Sequence, residues 1–330
     1  MNPTQGDVHV NTPLTNISIA YIQDATNFVA DKIFPNIPVN KQSDRYYTYD
    51  RGYFNRDEME LRAPGTESAG GEYTVDSTPT YFCDVYAFHH DIPDQRRANS
   101  DTVLAPDQEA VALVTSKALI KREKKFVTKY FAGGLWTSDT DGVSSGENNS
   151  TTFRQWNDAN STPIEDVRNA KTTVLQRTGF EPNTMVIGRQ VFDKLCDHPD
   201  IVDRVKYGQT QGRGIAQIDV SDLEAVFKIG RIVVMNSIEN TAAEGQTNSH
   251  SFIGGKKCLL VYAAPVPGLM TPTAGYTFSW NGLLGAAATG HRIKRFRMEN
   301  LSSDRVEIEM AFDQKLVSAD LGYFFDSIVA

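Results

Sequence analysis

A glycine-flanked serine motif is the first place where this sequence could perform covalent chemistry. Gly142-Val-Ser144-Ser-Gly146 matches the G-x-S-x-G pattern that presents a nucleophilic serine in α/β hydrolases. That arrangement needs a buried strand before the serine and a helix after it. Here the motif lies in a polar run of Ser, Thr, Asp, Gly and Asn over residues 137–152, which indicates a surface loop. We therefore expect no catalytic serine.

A second stretch, Gly254-Gly255-Lys256-Lys257, has the composition of a phosphate-binding loop. A Walker motif needs a Gly five residues before its Gly-Lys pair and a Ser or Thr directly after the Lys. Position 250 is His and position 257 is Lys, so both requirements fail. The stretch is better explained as a turn that precedes a strand.

Histidines and carboxylates could form a metal site or an acid–base pair. His89 and His90 are adjacent in a predicted strand, where neighbouring side chains point to opposite faces, so they cannot readily share one metal. Asp57, Glu58 and Glu60 fall in a predicted extended loop, which lacks the dry, fixed surroundings that tune catalytic carboxylates. Solvated or intersubunit charges explain them better.

The three cysteines, Cys83, Cys196 and Cys258, are widely spaced and form no C-x-x-C pair. This pattern favours buried, inert thiols over a disulfide framework or a zinc site. The sequence therefore predicts no catalytic residue, no cofactor and no metal.

A row of basic residues is the one set of side chains to which we assign a function. Lys117, Lys121, Lys124 and Lys125 form a flank of a predicted long helix. An ordinary solvated helix face is one explanation. The other is an anionic partner, to which a few lysines would give weak, sequence-independent and salt-sensitive attraction.

Composition limits the class of protein. The chain has 330 residues and a net charge of −8, so it is not a general nucleic-acid binder, which needs clustered Lys and Arg. No stretch approaches the roughly 20 apolar residues of a membrane span. Residues 1–10 lack the basic and apolar regions of a secretory signal, so we expect a protein made and kept in the cytosol.

The first 88 residues predict two segments that are each too small to form a hydrophobic core of their own. Residues 1–38 predict a short amphipathic helix, which carries Ile19, Ile22, Ala25, Val29 and Ile33. Residues 43–88 alternate with period two and predict a long two-stranded arm, marginal on its own. The charges of this arm favour a contact with a neighbouring subunit. The predicted contact residues are Arg51, Arg56, Asp57, Glu58 and Arg62.

A long helix over residues 107–131 has apolar side chains on two opposite sides, which predicts a helix covered on both faces. One side carries Val111, Val114, Ala118, Leu119, Phe126 and Tyr130, and the other Leu113, Ile120, Val127 and Phe131.

Two further patterns complete the chain. Alternating helices and strands predict a mixed α/β unit around one sheet, with helices at 164–177, 189–196 and 221–227 and strands at 185–187, 232–235 and 258–263. Near the end, Val306, Ile308, Met310 and Phe312 alternate with charged residues, and an upstream strand carries Phe296 and Met298. This pattern predicts a long antiparallel hairpin in which Arg and Glu pair across the strands.

The order of these parts resembles the major capsid proteins of tailed bacteriophages with the Hong Kong 97 coat fold. Arg51-Gly-Tyr-Phe-Asn-Arg-Asp-Glu, followed by Arg62-Ala-Pro-Gly, is similar to the extended loop of one branch of these proteins. Two segments are similar to the axial domain of that branch: Phe192 to Tyr207, which contains the run from His198 to Tyr207, and Val233 to Thr241. The resemblance covers nearly the whole chain.

The resemblance implies an α+β fold in five parts. These are an N-terminal arm (1–38), an extended loop (39–82), a peripheral domain with a spine helix (83–160), an α/β axial domain (161–285) and a return to the peripheral domain with the long hairpin (286–330). It also implies a subunit that assembles with its own copies as hexamers and pentamers of an icosahedral shell around double-stranded DNA. The lysine flank would then face the shell interior, near DNA or scaffold.

Further partners follow from the same resemblance. Only about 16 residues precede the first predicted helix, where some relatives carry a long cleavable scaffold segment, so we expect a separate scaffolding protein. A portal and a decoration protein are further candidate partners, no membrane is expected, and the protein is expected in the virion after assembly in the host cytoplasm.

Three other classes of protein remain as alternatives. An encapsulin-like compartment shell would have the same fold but would enclose cargo enzymes instead of DNA. An α/β hydrolase would need a pocket with convergent acid, base and nucleophile. A phage tail or decoration protein would not need a long helix with two buried faces.

Overall fold

The protein's structure, a computed structural model, describes residues 22–100, 105–146, 148–208, 218–268, 270–285 and 290–330. Two sheets, of five and six strands, organise these residues, and one long helix lies against both. No helix in the described ranges is long and apolar enough to cross a membrane.

The five-stranded sheet is built around one long central strand. Its strands are β1 (Asn36–Val39), β6 (Asp84–Pro93), β14 (Gly275–Trp280), β15 (His291–Met298) and β16 (Ser303–Leu316). Strand β16 pairs antiparallel with β15 on one edge and β6 on the other, and its last residues pair with β14. Strand β1 adds to β14 in parallel.

The predicted terminal hairpin is confirmed as β15 and β16, joined by a turn at Glu299–Leu301. Val306, Ile308 and Met310 of β16 are buried, while the charged residues between them are partly exposed. The predicted cross-strand pairing is present, since Arg292 of β15 lies 2.8 Å from Glu309 of β16. The sequence did not predict the third partner, β6, which covers the other edge of β16.

The six-stranded sheet has the order β10-β9-β13-β17-β7-β8. Its strands are β7 (Asp139–Val143), β8 (Thr152–Arg154), β9 (Thr184–Gly188), β10 (Arg231–Met235), β13 (Cys258–Val261) and β17 (Gly322–Asp326). Helices α5 (Pro163–Thr178), α6 (Arg189–Cys196), α7 (Pro199–Gly208) and α8 (Val220–Phe227) accompany it. The predicted helices and strands of the α/β unit are confirmed to within a few residues, and α7 is an addition.

The prediction of a surface loop over residues 137–152 was wrong for residues 139–143 and is confirmed for the exposed residues 144–146 and 148–151. Residues 139–143 form β7, which runs parallel to the apolar strand β17, and Thr140 is buried there. A polar strand of this kind is held by pairing with a distant partner, which local sequence does not reveal. Strands β7 and β8 lie before residue 161 and β17 lies after 285, so the sheet extends beyond the predicted axial range.

Helix α4 (Pro106–Tyr130) is the predicted long helix. Its buried residues form one face, as predicted for Val114, Ala118, Phe126 and Tyr130. Ala110 and Glu123 are also buried there, whereas Val111, predicted on this face, is 38% exposed. The prediction of a second covered face was wrong for the first half of the helix. Leu113 is 37% exposed and Ile120 is only half-buried, because no element of the described chain covers that side.

The described part of the N-terminal arm lies on its own subunit. The predicted continuous helix was wrong within the described residues, which form a single turn at Ala25–Asn27 and a short helix α1 (Ala30–Ile33). Ile33 and Phe34 are buried, and Phe34 packs against Phe126 of α4. Ile19 lies outside the described residues. The arm therefore contributes to the main core.

The extended loop is a two-stranded arm only at its base. Strands β2 (Ser43–Arg45) and β5 (Thr80–Phe82) pair, as do β3 (Thr48–Tyr49) and β4 (Val75–Asp76). Arg51 and Tyr53 belong to a helical turn, α2 (Arg51–Phe54), so their predicted strand conformation was wrong. The tip, residues 55–74, contains no strand.

The remaining elements are short. They are α3 (Asp94–Ala98), the hairpin strands β11 (Ile238–Asn240) and β12 (His250–Phe252), α9 (Asn281–Leu284) and a single turn at Ala319–Leu321.

Candidate functional site

An open groove of about 1810 Å³ runs beside the first half of α4. Strand β6, the middle of β16 and the β11–β12 hairpin form its other walls. Its apolar lining includes Val85, Phe88, Leu113, Ile120, Ile308 and Met310. Val85, Phe88 and Leu113 are exposed in this groove, so we treat it as a candidate interaction surface.

The predicted lysine flank borders this groove and divides into two pairs. Lys124 Nζ lies 2.5 Å from Glu239 of β11, and Lys125 Nζ lies 3.1 Å from Asp84. Lys125 also lies over the ring of Tyr86, at 4.8 Å from its centroid. These two lysines therefore stabilise the subunit itself.

Lys117 and Lys121 are exposed on the groove side of α4. They are one helical turn apart, so their side chains share a face of the helix. Lys121 Nζ stands 5.2 Å from the ring centroid of Tyr86. These two lysines, rather than all four, are available to an external partner. Their predicted position on the shell interior stays a prediction.

The predicted intersubunit residues of the extended loop make internal contacts in the single chain. Arg51 lies 2.8 Å from Asp320, and Arg56 lies 3.7 Å from Glu58. The Arg62 guanidinium donates to the carbonyl of Thr66 at 2.5 Å. Asp57 is exposed. Their role between subunits stays a prediction.

The loop tip exposes two apolar side chains that sequence analysis did not single out as contacts. Met59 and Leu61 have relative exposures of 93% and 102%. Apolar residues this exposed gain free energy only when a partner covers them. The signal in the sequence was the alternation of Met59 and Leu61 with Glu58 and Glu60.

A buried carboxylate joins three segments of the chain. Glu123 of α4 accepts hydrogen bonds from the backbone N–H groups of Val29 at 3.0 Å and Ala30 at 2.8 Å, both on Oε2. The Ser237 hydroxyl lies 3.3 Å from its Oε1. Burial raises the pKa of Glu123 to about 7.

Sequence analysis missed Glu123, although the helical pattern contained a signal. Glu123 is four residues after Leu119 and three before Phe126, so it lies on the apolar face of the helix. A carboxylate on such a face is expected to have buried hydrogen-bond donors as partners.

A buried Ser–His pair is the arrangement that most resembles a hydrolase site. Ser161 Oγ and His198 Nε2 are 3.0 Å apart. His198 Nδ1 accepts the backbone N–H of Asp200 at 3.2 Å, which requires the proton to be on Nε2. Protonated there, the imidazole cannot accept the serine proton, and Ser161 donates instead to the Asp158 carbonyl at 2.7 Å. The pair is a structural contact.

The other motifs also have structural surroundings. Ser144 is exposed directly after β7, and the next described element is the strand β8 rather than a helix. Lys257 donates to the Phe131 carbonyl at 2.9 Å and lies 3.3 Å from Asp326, so it joins elements of the core. The predicted turn before a strand is confirmed, since β13 begins at Cys258.

Thiols and potential metal ligands show no reactive arrangement. The three cysteines are free, and burial raises the pKa of Cys83 to about 12 and of Cys196 to about 11. Burial also raises the pKa of Cys258 well above its ordinary value. Across the residues that the structure describes, no three His, Cys, Asp or Glu side chains converge as metal ligands.

Comparison with known sequences connects this architecture to phage shells. A profile of the family described as Phage major capsid protein E matches residues 144–278. The major capsid protein of Pseudomonas phage JBD67 is 25% identical over 324 residues, which cover 97% of each chain. That of Burkholderia phage BcepMu is 23% identical over 328 residues, covering 97% of this chain and 96% of the relative.

Solved structures share the fold. A phage-related protein from Bordetella bronchiseptica RB50 has a TM-score of 0.66 at 19% identity, covering 92% of this chain and 93% of the other. The capsid of Cyanophage P-SCSP1u has a TM-score of 0.61 at 13% identity, covering 97% of this chain and 93% of the other. An encapsulin from Synechococcus elongatus PCC 7942 has a TM-score of 0.55 at 11% identity, covering 96% of this chain and 92% of the other.

The mixed helix-and-sheet fold is thus similar to that of phage capsid structures. Within that class, the sequence matches over nearly the whole chain are to phage major capsid proteins. The prediction of a phage major capsid protein, a structural component of the virion, is confirmed.

Proposed function

We propose that this protein has the Hong Kong 97 coat fold and assembles as hexamers and pentamers of an icosahedral shell around double-stranded DNA. The observation that carries the proposal is the similarity to phage major capsid proteins along 97% of the chain. Its exposed groove and exposed loop tip support it, because both gain free energy when copies associate.

The five chain segments have proposed roles within that shell. Residues 161–285 form the axial domain at capsomer centres, and residues 83–160 with 286–330 form the peripheral domain. The arm at 1–38 and the loop at 39–82 connect subunits. A separate scaffolding protein, a portal and a decoration protein are proposed partners, and assembly is proposed to take place in the host cytoplasm.

The proposed contact of the extended loop is the groove beside α4 of a neighbouring copy. Met59 and Leu61 supply apolar side chains on one side of the loop tip, and the groove offers Leu113 and Ile120. Leu113 and Ile120 lie one turn on either side of Lys117, so apolar and basic groups alternate along this face.

Charge and spacing support the same contact. In an extended tip, Glu58 and Glu60 would be about 6.6 Å apart. Lys117 and Lys121 are about 6 Å apart along the helix axis. The spacing of the two carboxylates therefore matches that of the two ammonium groups. In an extended tip the carboxylates point to the side opposite Met59 and Leu61, so the charged contact lies at the rim of the groove and the apolar contact inside it. Contact with packaged DNA or scaffold remains the competing proposal for these lysines.

The proposed role is structural rather than catalytic. The Ser161–His198 pair is the one hydrolase-like arrangement we find among the described residues, and its hydrogen bonds hold the imidazole in the wrong tautomer for a base. An α/β hydrolase would also need an accessible nucleophile, whereas both side chains are buried.

An encapsulin-like compartment is the second candidate, because an encapsulin has the same fold at a TM-score of 0.55. The two functions differ in what the shell encloses. Particles purified from phage-infected cells contain DNA in the first case and a cargo protein in the second, which nuclease-protected nucleic acid and gel electrophoresis distinguish.

The proposal is tested by expressing the chain with and without the scaffolding protein of its phage, followed by negative-stain electron microscopy. Closed shells or capsomer rings are expected. A small monodisperse monomer under all conditions would overturn the proposal.

A further inference from the structure

Glu123 is the meeting point of three segments that are distant in sequence. Its side chain belongs to α4, Val29 and Ala30 belong to the N-terminal arm, and Ser237 follows β10. The residue has an exposure of 0%, so no water competes for its carboxyl oxygens in the attached state. The attachment of residues 29–30 therefore depends directly on this group.

The three hydrogen bonds donated to Glu123 favour its ionised form, but its complete burial favours the neutral acid and outweighs them. The neutral acid keeps all three partners. Oε2 accepts both backbone N–H groups, as a carbonyl oxygen with two lone pairs can. Oε1 faces a single hydroxyl, that of Ser237 at 3.3 Å. A hydroxyl donates and accepts, so Ser237 can accept a proton carried on Oε1. Each polar atom of the acid then has a partner.

The charges around Glu123 do not offset the free-energy cost of burying its ionised carboxylate. Asp31 of α1 acts on it as a like charge. Arg122, its neighbour on α4, directs its guanidinium over the ring of Phe312 at 5.6 Å. On the β11 side, Glu239 is paired with Lys124. Arg122 and Glu123 attract each other as charges, but burial remains the largest influence on the pKa of Glu123 and favours the protonated form.

We propose that Glu123 is a proton-operated clamp on the N-terminal arm, closed as a neutral acid and loosened when its proton passes to bulk water. When residues 29–30 detach, the carboxyl group reaches water and ionises readily. Detachment and proton loss are therefore coupled, so a rise in pH through neutrality favours the loosened arm.

Other contacts limit how far the arm can open. Gln23 exchanges two hydrogen bonds with the backbone of Ile238, at 2.7 and 2.8 Å. Phe34 packs its ring against Phe126 and Tyr130 of α4. Both anchors are independent of protonation at Glu123. The loosening is therefore local, and its direct readout is the protection of the Val29 and Ala30 amides.

Hydrogen exchange of the purified full-length chain tests the clamp. Peptides that cover residues 28–34 are followed by mass spectrometry between about pH 6 and about pH 8, with correction for the intrinsic exchange rate. Wild-type protection is expected to fall as the pH rises to about 7 and to level off above it. In Glu123→Gln, which cannot ionise, protection is expected not to change with pH. Glu109→Gln, on an exposed position of the same helix, is the matched control and retains the wild-type pH dependence.

A second variant keeps the test decisive if Glu123→Gln does not fold. Asp31 is exposed, and its charge opposes ionisation of Glu123, so Asp31→Asn is expected to lower the pH at which protection levels off. Wild-type protection that does not change with pH, a wild-type pH dependence in Glu123→Gln, or an unshifted levelling-off in Asp31→Asn would each overturn the clamp. None of these results bears on shell formation, which electron microscopy tests separately.

Discussion

The ring of Phe34 in the N-terminal arm stands edge-on to the ring of Tyr130 at the end of α4, with centroids 5.0 Å apart and planes at 80°. Both side chains are fully buried. A segment too small for its own core thus becomes part of the subunit's main core through one aromatic anchor.

Replacing Phe34 with Ala is expected to lower the free energy of unfolding by about 3–5 kcal/mol, because it leaves a cavity against Phe126 and Tyr130. Urea unfolding followed by tryptophan fluorescence measures this loss. Phe54→Ala, in the exposed loop, is the matched control and should cost less than about 1 kcal/mol. Equal effects of the two substitutions would contradict the anchor role.

A cysteine pair tests the proposed contact between loop tip and groove. In assembled particles of Leu61→Cys/Leu113→Cys, mild oxidation is expected to link neighbouring chains into ladders on non-reducing gels. Each single variant is the control. The native thiols should react slowly, because burial raises the pKa of Cys196 to about 11 and of Cys83 to about 12. Well-formed shells without ladders would refute this contact and leave the shell function intact.

The two lysines of the groove distinguish a protein partner from DNA. Lys117→Gln and Lys121→Gln are added to the Leu61→Cys/Leu113→Cys variant. The yield of disulfide-linked chains is then expected to fall, because Glu58 and Glu60 lose their proposed partners. DNA content per particle is expected to stay unchanged. Lys124→Gln is the comparison variant, because its charge is already paired with Glu239. A salt-sensitive loss of DNA with unchanged linking would favour the interior-facing flank.

Protonation of Glu123 makes global stability depend on pH. Burial raises its folded-state pKa from 4.5 to about 7, so the folded protein holds this proton more tightly than the unfolded chain. The free energy of unfolding therefore falls as pH rises from 4.5 to about 7 and levels off above. The loss is up to about 3 kcal/mol.

Glu123→Gln should remove this pH-dependent loss, because the amide oxygen accepts both backbone N–H groups and its NH₂ donates to Ser237. Urea unfolding of both proteins at several pH values measures the difference. Parallel stability curves across that pH range would show that Glu123 is not the titrating group.

Local patterns predicted the elements that depend on neighbouring residues. The long helix, the helices and strands of the α/β unit and the terminal hairpin all appear close to their predicted bounds. Each combines a clear apolar period with turn residues at its ends, so short-range physics decides it. The order of these elements also carried the resemblance to phage capsid proteins.

Patterns failed where a distant partner decides the conformation. The polar strand β7 exists because it pairs with β17, about 180 residues later in the chain. The second apolar face of α4 looked buried by composition, but Leu113 opens onto a groove that one chain does not fill. The pairing of β6 with β16 was also not predicted, because period-two alternation indicates a strand but not the strand with which it pairs.

By itself, then, the sequence determined the class of elements, their order and the phage-capsid character of the chain, since these depend on local periodicity and similarity. Only the tertiary structure decided that Lys124 and Lys125 are paired with carboxylates of the same subunit while Lys117 and Lys121 are not paired in this way within the described residues, and that Glu123 holds the arm. The physical reason is that a charge acquires its role from the groups that surround it in space, and those groups come from β11, β6 and the arm, all remote from α4 in the chain.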